Sequence, residues 1–152
     1  MWDSARELAE GKIEVVIVLD SDDPTLERYP HEFTVVAAKG VIQSDLWNMA
    51  WRHASGDIAM MAADDMVFQT PGWDTMVERA FDRWPDRIGM VYPAGAFHDR
   101  PESLFVSREW IEAAGFFTPP YFASWFADRW IWEVAARVQR SAISAKNRLR
   151  FS

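Results

Sequence analysis

Two groups of carboxylates stand directly after apolar, β-branched runs. Asp20-Ser21-Asp22-Asp23 follows Val15-Val16-Ile17-Val18-Leu19, and the adjacent pair Asp64-Asp65 follows Ile58-Ala59-Met60-Met61-Ala62-Ala63. A lone aspartate at a strand end is an ordinary turn residue. Two adjacent carboxylates repel each other, and paired oxygen ligands at a strand end suit Mg2+ or Mn2+ when a diphosphate supplies the remaining oxygens. Such an ion would neutralise the charge that builds on a departing diphosphate. On the residues alone both readings stand, solvated turns and a cation site. Asp128 opens an apolar-periodic segment, where it is either an acid favoured by the helix dipole or a proton acceptor. His31, His53 and His98 show no metal-ligand spacing; His98, beside Asp99, is the one that could add a metal or phosphate contact. No glycine-rich phosphate loop, nucleophile elbow or Ser/His/Asp order is present.

The elements that must position these acids alternate. Residues 3–10 read as a short amphipathic helix stopped by Gly11. Ile13–Leu19 is almost continuously apolar, as in a strand buried on both faces of a parallel sheet. Phe33–Ala38 reads as a second strand. A helix then opens at Ser44 or Asp45, with Leu46, Trp47, Ala50, Trp51 and Ala54 on one face, and Gly56 closes it. Ile58–Ala63 is a third strand. Thr70-Pro71 predicts a helix start, a hydroxyl cap with proline at the first helical position, and Pro85 its stop. Ile88–Tyr92 and Leu104–Val106 are the next strands, the latter running into a helix capped by Ser107 and ended by Gly115. A last helix spans Phe126–Val138. Strands alternating with helices argue for an α/β sandwich with a mostly parallel sheet, in which ligands bind beyond the carboxyl ends of the strands. Both acid groups would then share one sheet edge.

Composition narrows the function further. The chain has 152 residues, one domain's length, and 49 % hydrophobic residues to build its core. A net charge of −7 argues against a nucleic-acid partner. The absence of cysteine excludes disulfides and thiolate metal sites and, with no secretory signal evident, suits a cytoplasmic location. No apolar run approaches the ~20 residues of a membrane span. After Glu133 only basic residues carry charge: Arg137, Arg140, Lys146, Arg148 and Arg150. Residues 138–152 therefore read as a basic C-terminal tail, either a solvated helix end or a patch touching anionic lipid or a phosphorylated acceptor.

The segment Ser55-Gly56-Asp57-Ile58-Ala59-Met60-Met61-Ala62-Ala63-Asp64-Asp65-Met66 resembles the strand that ends in the DXD motif of GT-A fold glycosyltransferases, family 2 in particular. Met66 stands where the family often has a third acid. Val16–Asp23 is similar to the family's second strand, and Thr70-Pro71-Gly72-Trp73-Asp74 to the segment after the DXD motif. Phe126–Glu133 is similar to the helix start that carries the catalytic base, with Ala127 replacing the usual glutamate. The likeness spans residues 5–138. It implies a three-layer GT-A sandwich with a mostly parallel central sheet. The family has a strand before the first helix and this chain opens in the helix, so an N-terminally truncated fold is expected, with unpaired edges that would invite a second copy.

The resemblance implies a metal-dependent inverting glycosyltransferase taking a sugar from a nucleoside-diphosphate sugar to an acceptor hydroxyl. The acceptor would be a glycan, a lipid-linked sugar or a protein. Asp65, with Asp64, would hold Mn2+ or Mg2+, and Asp64 would also face the ribose. Asp20 or Asp22 would accept from the base, Asn48 falls where the family has an asparagine at the nucleotide, and Asp128 would be the catalytic base. By position, residues 94–102 and the aromatic run Phe116–Trp125 would frame the acceptor. The Met66 and Ala127 departures favour a second reading, a GT-A-like domain that binds nucleotide, sugar or protein and transfers nothing. A nucleotidyltransferase is the third, although its usual basic phosphate loop is missing, and an interaction domain with solvated acidic turns is the fourth.

Overall fold

Alternating side-chain faces organise the chain around a four-stranded sheet, seen in a computed structural model that describes residues 2–29, 34–37, 39–62, 66–93 and 103–144. In chain order the elements are α1 (Trp2–Leu8), β1 (Ile17–Asp20), β2 (Thr34–Ala37), α2 (Gln43–His53), β3 (Ile58–Met60), α3 (Trp73–Phe81), β4 (Met90–Tyr92), β5 (Phe105–Ser107), α4 (Arg108–Ala114), α5 (Ala127–Arg137) and β6 (Ser141–Ile143). Leu26–Arg28 adds one 3-10 turn between β1 and β2. Successive residues of a strand point to opposite faces. Val91 and Phe105 therefore join one core cluster, with Trp73, Val77, Phe81 and Trp84 around α3. Met90 and Val106 join the other, with Trp110 and Ile111 of α4 and Ile131 and Ala135 of α5. Helices thus cover both faces of a mixed α/β fold.

The expectation of one mostly parallel sheet is corrected. The described strands form two sheets, β1-β2 and β3-β5-β4-β6. β1 runs parallel to β2 and β4 parallel to β6, but β5 lies antiparallel to both of its neighbours, β3 and β4. An apolar strand covered by helices on both faces has the same composition whichever way it runs, so composition does not reveal its direction. β6 is a second correction. Residues 141–143, read as tail, pair with β4 from Met90↔Ser141 to Tyr92↔Ile143. Arg140 lies just ahead of them and bonds Asp86 at 2.6 Å.

The expected start of α3 also moves. Thr70-Pro71 does not cap it; the helix begins at Trp73, behind Gly72 in the left-handed region at φ 66°. The reason is tertiary. Gly72 N–H donates to the Leu8 carbonyl at 2.7 Å, the Trp73 indole donates to the Ala5 carbonyl at 2.9 Å, and the Asp74 carboxylate accepts from Glu10 and Gly11 N–H at 2.9 and 2.7 Å. These bonds staple α1 to the first turn of α3. Ser107 does cap α4, accepting from Trp110 N–H, and Gly115 ends it at φ 83°. Gly89 is required by close approach, since a Cβ there would lie 2.5 Å from the Trp84 ring. Among the described residues no helix is long and apolar enough to cross a membrane.

Candidate functional site

Asp20 is the last residue of β1 and sits opposite Ala37, the last residue of β2. Its backbone carbonyl accepts from Asp23 N–H at 3.0 Å, closing a tight turn. Its Oδ1 is buried without a hydrogen-bond partner among the described residues. Burying a carboxylate oxygen without a donor costs free energy, which a donor hydrogen bond would offset. The other acids of the turn are engaged. Asp22 pairs with Lys39 at 2.7 Å, an exposed pair of small energetic weight. Asp23 accepts from the Thr25 hydroxyl at 2.6 Å and the Thr25 N–H at 2.7 Å. The hydroxyl first and the amide second hold the Asp23 carboxyl below its ordinary value.

Only residues 38–42 separate β2 from α2, so the N-terminus of α2 lies near the carboxyl end of β2. That terminus carries a buried polar network. Ser44 Oγ donates to the Phe122 carbonyl at 2.7 Å, Thr118 Oγ1 donates to the Ser44 carbonyl at 2.8 Å, and Gln43 N–H donates to the Ala123 carbonyl at 3.0 Å. Asn48 closes it. Its Nδ2 donates to the Thr118 carbonyl at 2.7 Å, and its Oδ1 accepts from Phe117 and Thr118 N–H at 2.8 and 3.1 Å. The Asn48 amide is thus occupied by the 117–118 backbone, which it holds in place. The sequence marked Ser44 only as a helix start and did not single out Thr118. A serine in a first helical turn and a threonine before Pro119-Pro120 carry no local signal of meeting 74 residues apart.

Residues 117–123, a strap held to α2 by these bonds, lead to α5. Phe126, its N-cap, is a non-glycine residue at φ 79°, a conformation that costs a side-chain-bearing residue about 1–2 kcal/mol. Strain of this kind concentrates at functional sites. Asp128 follows in the first helical turn, half-buried, and its carboxylate has no described hydrogen-bond or ion-pair partner. Arg129 is committed to Glu133 at 2.7 Å. Chain connectivity sets the α2 N-terminus after residues 38–42 that follow β2, and the Gln43–Ala123 bond sets that terminus against the segment leading to Asp128. No described contact links Asp20 and Asp128 directly.

Asp64 and Asp65 lie outside the described residues, as do His31, His98 and the 94–102 segment. Among the described residues no three His, Asp or Glu side chains gather into a group that could hold a metal ion. The described carboxylates do not make a cation site by themselves, because Asp22 and Asp23 are engaged and leave Asp20 alone. The chain matches no family model, no curated protein and no solved structure.

Proposed function

We propose that this chain binds a nucleoside-diphosphate sugar at the carboxyl end of β1 and transfers the sugar to an acceptor hydroxyl with inversion. The observation that carries the reading is the unpartnered, buried Oδ1 of Asp20. An imide or amino N–H of a nucleobase is the kind of donor that would satisfy it. The Asp128 carboxylate, without a partner among the described residues and placed in a first helical turn behind a strained residue, would supply the second group that such a transfer needs.

In this mechanism the acceptor hydroxyl oxygen attacks the anomeric carbon as the bond from that carbon to the diphosphate oxygen breaks. Asp128 takes the hydroxyl proton, and the nucleoside diphosphate leaves with the bonding electrons. A single displacement needs no protein nucleophile. Asn48 acts by positioning: it fixes Phe117 and Thr118, from which the chain runs to Asp128. Mn2+ or Mg2+ held by Asp64 and Asp65 would supply Lewis acidity to the departing diphosphate.

The test is thermal unfolding of the full chain with nucleoside diphosphates, with and without Mn2+, followed by transfer and donor-hydrolysis assays. A ligand held at about 100 times its dissociation constant adds about 2.7 kcal/mol to stability. One diphosphate should raise the melting temperature, and Asp20→Ala should abolish that rise. Asp128→Asn should abolish turnover and keep the rise. Full activity in Asp128→Asn, or no response to any diphosphate, refutes the reading. Binding without turnover in the unaltered chain would favour the domain that binds and transfers nothing.

A further inference from the structure

Between α2 and α4 lies a recess of about 370 Å3, within the ~300–1,000 Å3 typical of small-molecule sites. α2 contributes Asp45, Trp51 and Arg52 to its lining, α4 contributes Glu112, and the following loop contributes Phe116 and Pro120. The helical period produces this set. Asp45, Asn48 and Arg52 stand at i, i+3 and i+7, one face of α2.

The walls are fixed before any ligand arrives. Trp51 has the Arg108 guanidinium 4.3 Å from its ring centroid and packs against the Phe117 ring at 6.2 Å. Phe116 is held by Trp130 at 5.7 Å and by Tyr121 at 6.4 Å. Asn48 has its amide oxygen and one donor bond taken up by the 117–118 backbone. By contrast Asp45, Arg52 and Glu112 are exposed, and their side chains make no hydrogen bond or ion pair with a described residue. The recess therefore presents two aromatic side chains held by ring contacts, with two carboxylates and one guanidinium that have no partner among the described residues.

The charges decide the ligand class. A bare anion meets Asp45 and Glu112, and a bare cation meets Arg52. A neutral ring bearing many hydroxyls suits all three groups: its O–H groups donate to the carboxylates, its oxygens accept from the guanidinium, and its C–H face packs on an aromatic ring. We propose that this recess is a saccharide-binding site that takes one pyranose ring. It requires neither Asp20 nor Asp128, so it can be tested apart from the transferase reading, although Phe116 and Pro120 belong to the run which that reading sets beside the acceptor.

The experiment is a titration of the full chain, followed by 1H–15N NMR, with the methyl glycosides of glucose, galactose, mannose and N-acetylglucosamine, and with free amino acids as a zwitterionic control. At least one glycoside should shift the Trp51 indole N–H saturably, that resonance being assigned by its loss in Trp51→Phe. Arg52→Ala and Glu112→Gln, at exposed positions, should keep the folded spectrum and weaken binding by about tenfold or more, which is about 1.4 kcal/mol each. Asp20→Ala should leave the affinity unchanged, which separates this site from the nucleotide site. The proposal is overturned if no glycoside binds, if binding survives both substitutions, or if only the amino acids bind.

Discussion

Replacing Asn48 by alanine should unfold the strap that runs toward α5. Three buried backbone groups lose their partner: Phe117 N–H, Thr118 N–H and the Thr118 carbonyl, now bonded at 2.8, 3.1 and 2.7 Å. Thr118 is 0 % exposed and Phe117 3 %, so these groups have little access to bulk water. Each buried group left unsatisfied costs about 1–3 kcal/mol. Asn48 also lines the recess between α2 and α4, from which water could reach part of the gap, so the low end applies. The expected loss is about 3 kcal/mol, a large share of the ~5–15 kcal/mol that holds a domain of this kind together. At about 2–4 °C per kcal/mol for a chain of this length, the melting temperature should fall by about 6–12 °C. Urea unfolding followed by tryptophan fluorescence, with a thermal scan beside it, measures both quantities. A loss below about 1 kcal/mol would refute the reasoning. If nucleotide affinity collapses while stability is untouched, Asn48 contacts ligand and does not act as the clamp described here.

Three other predictions follow from the geometry. Gly89→Ala places a Cβ 2.5 Å from the Trp84 ring and should cost about 1–3 kcal/mol by overpacking, read as a lower urea midpoint with an unchanged slope. Ser107→Ala removes the cap on Trp110 N–H together with both hydroxyl bonds to Gly89, each 3.2 Å, at a fully buried position. It should cost about 2 kcal/mol by the same assay, and a loss under about 0.5 kcal/mol would discount the cap. The last concerns acid stability. Partial burial pushes the Asp74 carboxyl up, but the N–H groups of Glu10, Gly11 and Thr75 outweigh it and hold the group below its ordinary value. A depressed carboxyl stabilises the fold above the unfolded value near pH 4, and that contribution is lost as pH falls through the folded value. The stability gap between the wild type and Asp74→Asn should therefore be level above about pH 4 and shrink below it; a gap that widens with acid would contradict the assignment.

The order and type of the elements can be read from local pattern wherever that pattern is long or chemically distinct. The apolar stripe of α5, the Ser107 cap and the Gly115 stop of α4, and the strand ending in Asp20 are all legible because period, capping and turn chemistry act within a few residues. Strand direction was not legible, because β5 is buried along its whole length and its orientation depends on neighbours distant in the chain. β6 was invisible for the same reason: three small or apolar residues become a strand only because the Met90–Tyr92 edge is there to pair with them. Of the candidate site, the sequence marked Asp20, Asp22 and Asp128 by type and position, and Asn48 through the family resemblance alone. Only the folded contacts reveal that Asp22 is tied to Lys39, that Asn48 serves the 117–118 backbone, and that Asp20 keeps a buried oxygen without a partner among the described residues. Whether a polar side chain is spent or free depends on which backbone folds against it, and those partners here lie as far as 78 residues away.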